Sequence, residues 1–372
     1  MQLALTDDQR LIADSACALL AGHCSGAHTR AVMHTPDGHD AALWQQLGEQ
    51  GWCGLLTAPE SGGQGLGWLD AVPVLEAMGA HLACVPYLPT AVIAATALRH
   101  GSAALDLLAD ISHGRCVVAL SFSVVAAQPA CRDGRPGWRL DGVWPVVPSA
   151  HLADHWLLPV HAGETLLLRV PRDTAGLHAV PREGVDATRR AADVVAQGAW
   201  MADGACVARG AAAEQALQAA LLHGAIALAA EQVGVASQCL ALSCAHTLQR
   251  EQFGRPVAGF QAVKHRCAQM LVAIELARSA VRGAAALADA RPTAHDLEQA
   301  AAQALVAAHE AAAMATQETI QLHGGMGYTW ECDAHLYLRR AQANRHWLGL
   351  PSVWLERVAA QWLDHPGRWT TA

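Results

Sequence analysis

A chain of 372 residues with 25 Lys and Arg against 33 Asp and Glu carries a formal charge of −8, which excludes the basic footprint of a nucleic-acid or anionic-membrane binder. Its 52% hydrophobic content comes largely from Ala, with 5% aromatics, and suits close helix packing better than a β-sandwich. The length exceeds one compact core, so two or three domains are expected.

The first residues, MQLALTDDQRLIADS, carry acids where a secretory signal would carry a basic patch, and the expected compartment is the cytoplasm. The later Ala-rich runs are interrupted by Gln, Glu and His, so no membrane span is expected. From Thr6 to about Ser112 the pattern is helical. Thr6 stands at the N-cap of a first helix whose apolar positions are Leu11, Ala13, Ala16, Leu19 and Leu20. The stretch Thr57–Gly67 breaks this pattern with four glycines in six residues, a loop signal rather than a nucleotide cradle.

Between Gly114 and about Gly210 the texture changes to short apolar runs, CVVALSFSVV, GWRLDGVWPVV, HWLLPV and TLLLRV, which read as strands. Turn dipeptides at Asp133-Gly134, Asp141-Gly142 and Ala162-Gly163 mark hairpins, and the absence of intervening helices argues for an antiparallel sheet or barrel. Helical texture then returns in four segments, 211–248, 261–290, 293–322 and 333–362, broken at Gly254-Arg-Pro256, Arg291-Pro292 and Gly324-Gly325. The expected fold is mainly α with a β insert. It comprises an N-terminal α domain (1–112), a middle antiparallel β domain (113–210) and a C-terminal four-helix bundle (211–372).

The 11 cysteines are irregularly spaced with no C-x-x-C, and the 20 histidines form no H-E-x-x-H. No metal is expected, and the thiols read as core.

The most informative stretch is Gln249-Arg-Glu-Gln-Phe-Gly-Arg-Pro-Val-Ala-Gly-Phe-Gln-Ala-Val-Lys-His265. Arg250 at a helix end can pair bidentately with a diphosphate, Gly254 lets the chain reverse, and Gln261 opens the next helix with an amide. The bland alternative is a helical corner with exposed Arg and Gln. A second stretch, Gln321-Leu-His-Gly-Gly-Met-Gly-Tyr-Thr-Trp-Glu331, has paired glycines past which a cofactor could run close to the backbone.

The first stretch resembles the R-x-x-F-G-x-x-[L/I/V]-x-x-x-Q segment of the acyl-CoA dehydrogenase family, and the second its Q-x-[H/F]-G-G-x-G-[F/Y] segment. Near the N-terminus, Leu47-Gly-Glu-Gln-Gly-Trp-Cys-Gly-Leu55 and Pro59-Glu-Ser-Gly-Gly63 resemble the family's L-x-x-x-G-W-x-x-L and P-x-x-x-G-G. The resemblance implies an α–β–α fold and FAD, with Arg250, Gln252, Phe253, Gln261, Gln321, Gly324 and Gly325 as cofactor contacts. In that family the second segment meets the adenine and diphosphate half of an FAD bound mainly by another subunit. A homodimer or homotetramer, or a heterotetramer with a related subunit, is therefore implied. An acyl-CoA substrate and an electron-transfer flavoprotein or similar acceptor are implied as partners.

The departures concern the middle domain and the base. Where members carry T-E-P-x-A-G-S-D and W-I-T-N against the flavin ring, this chain reads Ala119-Leu-Ser-Phe-Ser123 and Trp144-Pro-Val-Val-Pro-Ser-Ala150. Gapless counting from Gly324-Gly325 puts the usual base at Leu348, and counting back from Arg250 puts the alternative base at Gly224. The nearest carboxylate on that helix is Glu231, seven residues further and about 10 Å along the axis. Glu231 is the candidate base; a structural glutamate is its competing reading, and His223 nearby reads as a structural histidine.

Two readings stand side by side. One is a self-sufficient acyl-CoA dehydrogenase that forms the trans-2-enoyl-CoA with Glu231 as base and FAD as hydride acceptor. The other is a base-lacking subunit of a hetero-oligomer, as in steroid side-chain degradation, whose Arg250, Gln261 and Gly324-Gly325 serve a neighbour's FAD. A flavin-free binding or scaffold protein is the third.

Overall fold

The computed structural model describes residues 5–100 and 105–363. In chain order the helices α1 (Asp7–His23), α2 (Gly26–Met33), α3 (Ala41–Glu49), α4 (Trp68–Ala80), α5 (Ala95–Arg99) and α6 (Leu105–Ser112) come first. Strands β1 (Val118–Leu120), β2 (Val125–Arg132), β3 (Arg135–Pro148), β4 (His155–His161), β5 (Thr165–Pro171), β6 (Leu177–Arg182), β7 (Ala191–Ala202) and β8 (Cys206–Arg209) follow. The helix α7 (Ala211–Gln249), a small hairpin β9 (Glu251–Gln252) and β10 (Arg255–Pro256), then α8 (Gln261–Asp289), α9 (Ala294–His323), α10 (Ala334–Trp347) and α11 (Pro351–Leu363) complete the order. The expected α–β–α fold class is the one observed.

Packing divides the chain into two compact units: Met1–Arg30, Trp68–Ala83 and Ala225–Ala372 in one, Ala31–Gly67 and Cys84–Gly224 in the other. In the first unit α1 lies on α4, α4 on α8, and α9 packs against α8, α10 and α11. Thr6 caps α1 through a reciprocal bond with Gln9, as its sequence suggests. Ala16 and Leu20 form the buried stripe of α1, whereas Leu11 is 67% exposed. At the crossing of α4 and α7 the backbones nearly touch. A Cβ on Gly79 would lie 2.0 Å from the Glu231 carbonyl oxygen, and one on Gly234 would lie 1.8 Å from that of Glu76. Only glycine fits at either point.

The second unit is organised on an eight-stranded sheet with the order β6-β7-β3-β2-β4-β5-β8 and β1 beside β4. Asp133 and Gly134 both have positive φ and join β2 to β3 as a two-residue hairpin, and Gly163 turns β4 into β5, as the dipeptides suggest. Three expectations fail in detail. The sheet is mixed, because β1 and β2 are two pieces of one interrupted run that lies parallel to β4. Asp141-Gly142 is no hairpin; it sits inside β3, where the pairing with β7 shifts register at Gly142. The apolar-run reading also passes over β6, β7 and β8, since β7 is rich in Ala and carries Gly198. Within this sheet Trp144 donates to the Pro159 carbonyl and Trp156 to that of Ala150, so both buried indoles are satisfied.

The helical segment expected over 333–362 is two helices. Leu348-Gly349-Leu350 breaks it, with Gly349 at φ 104 and the Trp354 indole donating back to the Leu348 carbonyl. The long helix α7 is apolar enough to cross a membrane by length and composition, but 83% of its apolar stretch is buried inside the fold.

Candidate functional site

The first unit carries a groove of about 530 Å³ where the end of α7, the β9–β10 hairpin, the start of α8 and the end of α9 converge. Its shape follows from two chain reversals. At the hairpin tip Phe253 and Gly254 have φ of 54° and 76°, the two left-handed positions of a tight turn, with Gln252 paired to Arg255. The Val257 amide donates to the Arg250 carbonyl at 2.8 Å, which fixes the last turn of α7 against the hairpin. On the opposite wall α9 ends at Gly324, whose φ of 60° and ψ of −139° suit glycine alone. A Cβ built on Gly324 or Gly325 would meet nothing within 4 Å, so the glycines open space for a ligand to lie on the backbone.

The groove is electropositive. Arg250 is exposed and, among the described residues, its guanidinium has no hydrogen-bond or ion-pair partner. Arg266 is held by Glu318 across α8 and α9. His246 and His323 stack with centroids 4.3 Å apart and planes 22° apart. Burial, then the His323 ring and then Arg250 hold the His246 imidazole below its usual range.

Of the residues singled out in the sequence, Arg250, Gln252, Gln321, Gly324 and Gly325 line this groove together. Phe253 and Gln261 do not. Phe253 is 91% exposed at the hairpin tip, edge-on to Phe260, and the Gln261 amide lies 3.5 Å from His265 at the exposed start of α8. The lining residues passed over include His246, Thr247, Arg266 and Met326. The spacing held a signal for His246, which precedes Arg250 by one helical turn and shares its face.

Glu231 lies elsewhere, in the packed interior of the same unit. Its Oε1 accepts from the Arg340 guanidinium at 3.2 Å and from the Asn344 amide at 3.0 Å. Asn344 also donates to Gln232 Oε1, and the Gln232 amide lies 3.1 Å from His309 Nδ1 and 3.4 Å from the Ala341 carbonyl. Glu231 is 2% exposed and Arg340 0%, so this is a fully desolvated polar chain joining α7, α9 and α10. A carboxylate so committed meets the geometry of a structural ion pair better than that of a solvent-linked base. Leu348 is buried at the end of α10, and Gly224, buried in α7, offers no functional group. His223 is a half-buried histidine driven down to about 4 by burial, then Arg99 and His100.

A glycine cradle facing an unpaired guanidinium fits a diphosphate-bearing cofactor. Residues 6–106 match the acyl-CoA dehydrogenase N-terminal domain and residues 213–363 the acyl-CoA dehydrogenase C-terminal domain. The chain is 33% identical to acyl-CoA dehydrogenase IpdE2 of Mycolicibacterium smegmatis over 96% of its own length and 99% of that protein. It is 49% identical to acyl-CoA dehydrogenase FadE34 of Mycobacterium tuberculosis over 36% of this chain and 19% of that one. Among solved structures, a variant of the Tcur3481-Tcur3483 steroid ACAD matches with a TM-score of 0.85 and 29% identity, covering 97% of this chain and 99% of that one. The ChsE4-ChsE5 complex from Mycobacterium tuberculosis matches in fold with a TM-score of 0.87 at 24% identity, over 98% and 99% of the two chains. The chain belongs to the acyl-CoA dehydrogenase family, a family of oxidoreductases.

Proposed function

We propose that this chain is the base-lacking subunit of a hetero-oligomeric acyl-CoA dehydrogenase that desaturates a steroid-derived acyl-CoA to its trans-2-enoyl-CoA. One observation carries the reading: the groove is intact while both family base positions, Gly224 and Leu348, lack a carboxylate and Glu231 is tied to Arg340. The relatives described as a steroid ACAD and as a ChsE4-ChsE5 complex support the substrate class and the paired assembly. Arg250 would pair with the FAD diphosphate, Gly324 and Gly325 would pass it along the backbone, and Gln252 and Gln321 would donate amide hydrogen bonds; Phe253 and Gln261 would flank it. When bound, FAD supplies the hydride acceptor. A glutamate of the partner subunit takes the α-proton, and an electron-transfer flavoprotein or similar acceptor reoxidises the assembly in the cytoplasm. The sequence segments 1–112, 113–210 and 211–372 are its N-terminal, middle and C-terminal domains in this reading.

The chain purified alone is expected to leave flavin unreduced on anaerobic addition of any acyl-CoA, while the same chain co-expressed with a glutamate-bearing related subunit bleaches it. Rapid bleaching by the chain alone would return the base to this chain. Replacing Gly325 by valine tests the groove itself. Because a side chain there meets open space, Gly325→Val should keep the unfolding transition and lose most bound flavin. Full occupancy in that variant would remove the groove assignment.

A further inference from the structure

The two histidines of the groove have no part in the reading above, and their arrangement is specific. His323 Nδ1 lies 2.8 Å from the Thr319 carbonyl, which can only accept. That nitrogen therefore carries a hydrogen, which leaves Nε2 as the ring nitrogen free to meet a ligand. His246 stacks on the same ring, and both line the groove beside Arg250.

The charges at the groove come from three elements: Arg250 of α7, Arg266 of α8 and, from α9, Glu318, which is committed to Arg266. Burial, then the neighbouring Cys244 of α7, holds the Cys267 thiol of α8 up at about 11, so it brings no charge near neutrality. With the groove free of ligand, burial, the neighbouring ring and Arg250 all oppose a proton on His246. A diphosphate reverses that balance by bringing negative charge against the same rings. Two imidazolium charges at 4.3 Å would repel, whereas one imidazolium stacked on a neutral ring is favourable, so the pair suits a single proton.

We infer that the stacked His246–His323 pair is a proton-linked clamp: a diphosphate ligand enters the groove together with one proton, taken from solvent and held by the two imidazoles. The inference rests on the groove being the seat of the FAD diphosphate. Held by the pair, that proton adds a charge-assisted donor toward a phosphate oxygen, and Arg250 supplies the second such bond. Binding that takes up a proton strengthens as pH falls, by up to tenfold per pH unit while the uptake is complete.

The test is calorimetric titration of FAD into the flavin-stripped full-length protein, together with its co-purified subunit where it has one. Runs between pH 6 and 8 in buffers of small and large ionisation enthalpy count the protons. The FAD diphosphate is fully ionised throughout this range, so uptake reports on the protein. We expect uptake approaching one proton near pH 6.5, and affinity rising several-fold from pH 7.5 to 6.5. The double variant His246→Phe with His323→Phe keeps two stacked rings and should bind FAD with neither uptake nor pH dependence. Wild-type binding without uptake overturns the clamp and leaves the groove reading standing. Uptake that persists in the double variant overturns the assignment to this pair. FAD binding undiminished in Gly325→Val overturns the groove reading and the clamp with it.

Discussion

Replacing Glu231 by glutamine is expected to lower the unfolding free energy by about 3–5 kcal/mol, because it leaves the Arg340 guanidinium buried without its counter-charge. The loss falls on the helical unit, where α7 and α10 are joined through this pair. Arg340→Met combined with Glu231→Gln should recover much of the loss, since removing both charges ends the uncompensated burial. Urea unfolding of the two variants measures both effects. The opposing result is equally concrete. A catalytic Glu231 would give a Glu231→Gln protein that unfolds like the wild type and keeps its flavin, yet reduces it slower by a factor on the order of 10² or more.

Mild acid is the second condition to which the fold should be sensitive. Burial, then Arg345 and His346, drive the His309 imidazole down to about 4; burial, then Arg99 and His100, do the same to His223. For a histidine whose folded value is depressed, the stability is fully present above the unfolded value near 6.5 and is lost as pH falls through the window from about 6.5 to 4. Each residue should thus cost about 2 kcal/mol by pH 5. His309 accepts at Nδ1 from the Gln232 amide, so a proton there would set two donors against one another. His309→Gln offers an acceptor that does not titrate, and it should remove about 2 kcal/mol of the difference in unfolding free energy between pH 7.5 and pH 5. An unchanged pH dependence in that variant would mean that other groups carry the acid sensitivity.

How far the sequence could be read depended on whether a feature was local. The capped first helix, the Asp133-Gly134 hairpin and the groove residues around Arg250 and Gly324 each rest on short-range chemistry: a side chain on a nearby amide, a turn needing positive φ, a helix end meeting a reversal. The parallel pairing of β1 and β2 with β4 rests on contacts distant in sequence, and nothing in the run CVVALSFSVV distinguishes a parallel neighbour from an antiparallel one. Asp141-Gly142 has the letters of a hairpin turn and serves instead as an irregularity within a 14-residue strand, where pairing with β7 overrides local preference. Glu231 shows the same limit at the site. Its place on α7 makes it the nearest carboxylate to a family base position, while its partners Arg340 and Asn344 arrive from more than a hundred residues later in the chain.

The near-contact of α4 and α7 at Gly79 and Gly234 also sets an order of events during synthesis. The apolar side of α4, with Val72, Val74, Leu75 and Met78, leaves the ribosome about 150 residues before the segment of α7 against which its backbone rests. At usual elongation rates that gap lasts roughly 8–30 s, far longer than a helix needs to form. The nascent chain therefore carries α4 without its α7 neighbour for roughly two fifths of its own translation, with α1, made before it, the helix at hand to cover its apolar side.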